Sequence, residues 1–256
     1  MTENINRAIY DKNYSNENVT LANVILPYDQ WMVKYRFSLI KKYGKNKDVL
    51  DLCCGTGSYL IPMLNQIKLA IGVDFSSTML EGFQKNLEGE LPANLNLIKA
   101  DAVILPLKDR TLDFVYSYTS LYHVPEVELS LSEIGRVLRL GGYAVVELGN
   151  IYSINTIVCK VQHHHGWAKP YHISYPKMLQ YLGKANLEIV EHRAFQLLNT
   201  LVTPIELLYL FPFSNPFWKH IMGIEIRGRI LDEWISSSWL LRNLAFRHIF
   251  VVRKSI

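Results

Sequence analysis

The residues best suited to chemistry are two carboxylates and two glycines that lie close together in the chain. Asp51 sits within Val49-Leu50-Asp51-Leu52-Cys53-Cys54-Gly55-Thr56-Gly57, an apolar run closed by a turn of small residues. Glycine takes positive φ freely and lets a ligand come close to the backbone. Asp74 follows 23 residues later, at the end of a second apolar run, Leu69–Val73. That spacing is near the roughly 20 residues expected for an acid that takes ribose hydroxyls. A strand running into a small-residue turn and a helix puts both acids at the carboxyl edge of a parallel sheet, where nucleotide-like ligands bind.

Three ligand classes use such a turn. A phosphate loop needs a lysine after its last glycine, whereas Ser58-Tyr59 follow Gly57. A dinucleotide turn wants a third glycine, and Leu60 stands in that place. A carboxylate at Asp51 would also repel a pyrophosphate. An uncharged nucleoside joined to a cationic group is compatible with these acids, and S-adenosylmethionine is such a molecule.

The sequence resembles the class I S-adenosylmethionine-dependent methyltransferases over about residues 45–150. In order, the resemblance is carried by Val49–Gly57, Val73-Asp74-Phe75-Ser76, Lys99-Ala100-Asp101-Ala102 and Leu112-Asp113-Phe114-Val115. Leu121-Tyr122-His123-Val124 and the run from Glu133 to Gly142 complete it. It implies that Asp51, Cys53, Gly55 and Gly57 form the cofactor turn and that Asp74 takes the ribose. It also implies Phe75 and Met79 beside the adenine, Asp101 with Ala102 at the exocyclic amine, and Ser117 and Tyr122 completing the cofactor set. Cys53 stands where many members have glycine, so we expect a tighter turn with binding kept. Helix capping is the alternative duty for Asp74 and Asp101, and stabilisation of a helix N-terminus for Asp51.

Methyl transfer from a sulfonium is a direct displacement. The protein must hold nucleophile, methyl carbon and sulfur in line, an effect worth about 7–11 kcal/mol. No catalytic triad is required. His123, a few residues after the fourth strand, is the candidate base, because an imidazole that is partly neutral near pH 7 can take a proton. Loop structure or substrate orientation is its alternative role. Tyr14, Trp31, Trp167, Tyr171 and His172 are the candidate acceptor-binding residues. His163-His164-His165 have no Cys or carboxylate cluster near them in sequence, so a loop bordering the pocket is expected there and no metal site.

Alternating strands and helices must carry these groups. Strands are expected at Asp48–Leu52, Leu69–Val73, Leu95–Lys99, Thr111–Ser117, Tyr143–Leu148, Leu187–Phe195 and Leu244–Val252. Helices are expected from Ser58 to about Ile67, from Ser76 or Ser77 to about Leu87, over Glu126–Leu138 and over Pro176–Ala185. Near-continuous apolar strands mean a sheet covered on both faces. The fold expected is α/β: a doubly wound, Rossmann-like, mostly parallel seven-stranded sheet with an antiparallel last strand. Residues 1–44 should form an N-terminal helical lid, as two helices or as one helix bent at Pro27. Residues 45–195 and 244–256 should form the cofactor domain. Residues 196–243, broken by Pro204, Pro212 and Pro216, should form a helical cap inserted between the last two strands.

A chain that is 49% hydrophobic and 20% charged suits a folded globular protein. Three cysteines, two of them adjacent, make no disulfide framework, so a cytoplasmic, reducing setting is expected. No apolar run reaches the length of a membrane span. Residues 151–256 hold 12 Lys/Arg against 6 Asp/Glu, without a dense basic patch interleaved with aromatics, so nucleic acid is not an expected partner. Ser117-Tyr118-Thr119-Ser120 replaces the Asn/Asp-Pro-Pro-Tyr/Phe sequence of nucleic-acid and glutamine amine methyltransferases. The expectation is an S-adenosylmethionine-dependent transfer to O, N or C of a small or medium organic acceptor, with S-adenosylhomocysteine as product. The apolar, aromatic cap suits such a ligand. One alternative is a lipid or quinone acceptor met at a membrane surface, with peripheral contact through Leu197–Trp218. Another is a non-catalytic, methyltransferase-like binding or scaffold protein. The sequence leaves the oligomeric state open.

Overall fold

In the computed structural model, the described residues are 6, 9 and 10, then 26–164, 168–197 and 215–255. The strands are β1 (Asp48–Leu52), β2 (Leu69–Asp74), β3 (Leu95–Lys99), β4 (Leu112–Ser117) and β5 (Leu138–Gly149), followed by β6 (Leu187–Phe195), β7 (Glu225–Ile226), β8 (Arg229–Ile230) and β9 (Arg247–Lys254). Seven of them make one sheet in the order β3-β2-β1-β4-β5-β9-β6, and β7-β8 form a separate hairpin. β9 runs antiparallel to both neighbours, and the other pairs are parallel. The Rossmann-like reading holds, including its one reversed strand.

The order reverses between β1 and β4, and the crevice above such a switch point is where an open α/β sheet binds ligands. All five residues of β1 are buried because strands flank it on both sides and apolar layers cover both faces. The register sets Asp51 opposite Gly72 on β2 and Tyr116 on β4. Residues paired across a ladder share a face, so Asp51 and Tyr116 are brought together by topology.

Helix α1 (Pro27–Gly44) begins at its proline, where the missing amide costs nothing. Its buried stripe is Tyr28, Met32, Tyr35, Leu39 and Ile40, with one charge, Arg36, set into it. Helix α2 (Ser77–Asn86) is capped by Ser76, whose Oγ accepts from the Met79 amide at 3.3 Å. Helix α3 (Val127–Val137) passes directly into β5, so Gly141-Gly142 lie inside the strand. Gly141 takes φ +76, near the register shift between Leu112 and Phe114.

Three segments depart from the sequence reading. After Gly57 there is a six-residue 3₁₀ helix, Ile61–Gln66, instead of an α-helix from Ser58. Pro62 gives no amide to the carbonyl four residues before it, which breaks the α ladder at its start. His163 and His164 end a helix, α4 (Ile154–His164), where a loop is expected. Beyond α5 (Tyr175–Lys184), the described part of the cap holds α6 (Asn215–Met222), the β7-β8 hairpin and α7 (Leu231–Ser236), so it is not wholly helical. Residues 198–214, which carry Pro204 and Pro212, lie outside the described residues.

α6 lies against α1. Lys219 pairs with Asp29 at 2.8 Å, and a Cβ on Gly223 would stand 2.4 Å from the Tyr28 amide nitrogen. That approach is open only to glycine.

Candidate active site

Two adjoining cavities open above the carboxyl ends of β1, β2 and β4. The smaller, about 80 Å³, is lined by Asp74, Phe75, Met79, Asp101 and Ala102, among others. The larger, about 400 Å³, reaches Asp51, Cys54, Tyr59, Thr119 and Tyr122. Cys53, Gly55, Met79, Tyr10, Ser120 and His123 border both.

The turn after β1 is built on left-handed backbone. Cys53, Gly55 and Gly57 take φ of +61, +52 and +81. Cys53 therefore occupies a conformation that costs a residue with a Cβ about 1–2 kcal/mol, which explains glycine as the commoner choice there. The two glycines serve different ends. A Cβ on Gly55 would meet only Met79 Sδ at 4.0 Å, so the backbone there is open to a ligand. A Cβ on Gly57 would lie 2.6 Å from Phe83 and 2.8 Å from Ile61, so Gly57 permits packing and lines neither cavity.

Asp74 ties two loops together: its Oδ2 accepts from the Gly55 amide at 2.9 Å and its Oδ1 from the Ser76 amide at 3.0 Å. A carboxylate can accept about four hydrogen bonds, the capacity that holding a diol requires. Asp101 accepts from the Val103 amide at 3.2 Å and borders the smaller cavity. The Tyr116 hydroxyl donates to Asp51 Oδ2 at 3.0 Å. Burial pushes the Asp51 carboxyl up to about 8; the Tyr116 hydrogen bond opposes this and Asp74 adds to it. A buried acid in that state is a socket for a cation.

His123 ends a 3₁₀ turn, Leu121–His123, and its Nδ1 is 3.3 Å from the carbonyl of Lys169. A carbonyl only accepts, so Nδ1 carries the proton and Nε2 the lone pair. Burial draws the imidazole down to about 4, with the Lys169 carbonyl opposing and Arg247 adding, so the ring is neutral at pH 7. Asn6 fixes this arrangement. Its Nδ2 donates to the carbonyls of His123 and Lys169 at 2.8 and 3.0 Å, and its Oδ1 accepts from the Lys169 amide at 2.7 Å. Tyr10 then packs edge-on to both Phe75 and His123, with centroids 5.8 and 6.0 Å away.

Other expected residues fall elsewhere. Ser117 is fully buried and borders neither cavity. Trp31 stacks on Tyr35 at 5.1 Å and packs against Phe195, partly buried against the core. Tyr171 donates its amide to the Tyr122 carbonyl, and its ring is set against Lys169 Nζ, 5.3 Å from the centroid. His172 is buried behind Tyr122, with Nδ1 2.8 Å from Thr156 Oγ1. Neither Tyr171 nor His172 lines these cavities. Tyr14 and Trp167 lie outside the described residues. Among the described residues no three His, Cys, Asp or Glu side chains converge as metal ligands.

The sequence reading misses a buried ionic cluster. Arg36 Nε and Nη2 donate to Glu147 Oε2 at 3.2 and 2.8 Å, and Arg247 Nη1 donates to Glu147 Oε1. Burial works against the Glu147 charge, but the two guanidiniums outweigh it and hold the carboxyl below its usual range. The signals were present: a charge on the apolar stripe of α1, and another inside the apolar run Tyr143–Leu148.

The residues fit S-adenosylmethionine. The open backbone at Gly55, the buried acid at Asp51 and the cavity-lining acids Asp74 and Asp101 suit a cationic nucleoside. Among the described residues no Lys or Arg lines the two cavities to receive a phosphate.

Comparison with known proteins agrees. The methyltransferase domain family matches over residues 50–146. A demethylmenaquinone methyltransferase of Staphylococcus aureus (strain MRSA252) is 36% identical over 129 residues, 48% of this chain and 52% of that protein. The chain thus spans about half the length of the curated relatives it matches. Among solved structures, magnesium protoporphyrin IX methyltransferase from Synechocystis PCC 6803, with bound SAH, has a TM-score of 0.61 at 15% identity, covering 98% of this chain and 99% of that one. An S-adenosylmethionine-dependent methyltransferase from Thermotoga maritima, described as a possible histamine N-methyltransferase, gives 0.56 at 22% identity, covering 97% and 99%. At such identities the likeness is one of fold. Together, the matched segment and the sheet order identify residues 50–146 as a match to the methyltransferase domain family, carried on a Rossmann-like fold.

Proposed function

We propose that this protein is an S-adenosylmethionine-dependent methyltransferase acting on a small or medium organic acceptor. One observation carries the reading: a buried, cation-seeking Asp51 and the ribose-ready Asp74 flank an open glycine turn beside a neutral histidine. The cofactor, when bound, supplies an activated methyl group. Asp51 would hold its amino group, Asp74 the ribose, and Phe75, Met79 and Asp101 the adenine. His123, kept neutral by burial, would take the acceptor's proton at Nε2 as the new bond to carbon forms. Tyr10 and Asn6 would keep water from the cavity mouth. In calorimetry, Asp74→Ala is expected to weaken S-adenosylhomocysteine binding at least about tenfold, the loss of a hydrogen bond to a charged group, while circular dichroism stays unchanged. Unchanged affinity would overturn the ribose assignment. Incubation of the protein with labelled cofactor and candidate metabolites, with products identified by mass, tests the reaction itself.

A lipid or quinone acceptor is the second reading. The relative from Staphylococcus aureus favours it, and so does the exposure of Trp239 and Leu240, at 75% and 65%, close to Arg242. No described helix is long and apolar enough to cross a membrane, so contact of this kind would be peripheral. Co-sedimentation with anionic vesicles, abolished by Trp239→Ser, would support it; a protein left wholly in the supernatant would sink it.

A further inference from the structure

We propose that a third cavity, beside the two already described, is the acceptor site and that it selects an aromatic or apolar molecule bearing a carboxylate. The proposal rests on the methyltransferase reading of the neighbouring cavities. This space, about 210 Å³, lies between α1, the loop after β4, α6 and the start of β9. It shares Tyr59 and Thr119 with the larger cofactor cavity, so the two spaces adjoin through those side chains. Thr119 stands at that junction with φ +59, a left-handed conformation that a β-branched residue adopts only under constraint.

The walls combine an apolar body with cations. Tyr28, Met32 and Val33 give the apolar side, and Arg36, Lys219 and Arg247 the charged one. The described acids nearby are already engaged. Asp29 pairs with Lys219 at 2.8 Å, and Glu147 alone is shared by both guanidiniums. Asp232, behind the wall, accepts from the Gln196 amide at 2.7 Å and the Ser236 hydroxyl at 3.0 Å. Arg247 Nε donates to Gln196 Oε1 at 2.5 Å and Nη1 to Glu147, while Nη2 has no acceptor among the described residues. Arg36 donates from Nη1 to the Tyr59 hydroxyl at 2.8 Å and keeps further N–H groups beyond its bonds to Glu147. Two arginines sharing one carboxylate thus present unused donors at the edge of a confined space. A planar guanidinium matches a carboxylate in two parallel hydrogen bonds, and a neutral ligand would leave those donors unpaired.

The test titrates the full chain by calorimetry with 4-hydroxybenzoate and with 4-hydroxybenzamide, its uncharged counterpart of the same shape. Each titration is run with and without saturating S-adenosylhomocysteine. The carboxylate is expected to bind at least about tenfold more tightly than the amide, the margin of a charge-assisted pair. Arg247→Gln should erase that preference and Lys219→Met should reduce it. Equal binding of the two probes, binding of neither, or a preference that survives Arg247→Gln would overturn the proposal. The wild-type comparison needs no substitution, so an unfolded variant does not shield it. Failure to bind S-adenosylhomocysteine with the carboxylate preference intact would overturn the cofactor reading and with it the acceptor role of this cavity; S-adenosylhomocysteine binding without the preference would overturn this proposal alone.

Discussion

Asp51 is subject to two opposed demands. Its place between Gly72 and Tyr116 buries it and pushes its carboxyl up to about 8, so the ligand-free protein holds it largely protonated at pH 7. A cationic ligand needs the carboxylate, so binding must release a proton. Affinity for S-adenosylhomocysteine is therefore expected to rise with pH up to about 8, by at most about tenfold per unit. In Asp51→Asn the slope should vanish and the affinity at pH 8 should fall, both read by calorimetry across that range. The sign for the empty fold is the reverse. A carboxyl raised on folding contributes stability that is complete below its unfolded value and is lost as pH rises through about 8. Asp51→Asn should accordingly raise the melting temperature at pH 8 without ligand. For His123, the ring drawn down to about 4 predicts turnover with no acid limb near the ordinary histidine value. His123→Ala should lower turnover more than it lowers cofactor affinity; equal turnover at saturating acceptor would remove it as a base.

Among the elements, the turn after β1 shows most directly how sequence becomes site. A left-handed cysteine at φ +61 spends stability that glycine would not. Cys53→Gly is expected to stabilise the fold by about 1 kcal/mol, seen as a higher denaturant midpoint with an unchanged slope. The same turn shows what periodicity reads well and what it reads poorly. β1 and β3 lie at their expected bounds, because buried strands leave continuous apolar runs between polar stops. The expected α-helix after Gly57 is a 3₁₀ helix, since one proline decides between two helices that bury similar residues. The β7-β8 hairpin went unforeseen because Glu225–Ile226 and Arg229–Ile230 are too short to show alternation.

At the scale of the molecule, Glu147 joins three distant pieces of chain: α1 through Arg36, β9 through Arg247, and its own strand β5. Removing that charge leaves two buried cations facing each other. Glu147→Gln is expected to destabilise the protein by about 3–5 kcal/mol in denaturant unfolding, the cost of breaking a buried ion pair. A loss under about 1 kcal/mol would mean that water already screens the cluster.

By itself the sequence determined the acid-lined glycine turn. The strand, acid and glycine turn, followed at set spacing by Asp74 and Asp101, is local, and local spacing suffices to place groups that lie at consecutive strand ends of one sheet. The placement of Tyr116 against Asp51, of Asn6 across His123 and Lys169, and of Arg36 with Arg247 on either side of Glu147 was decided only in three dimensions. Those partners are 65 to 163 residues apart in the chain. Their meeting depends on strand order, register and helix packing, none of which any short stretch of residues encodes.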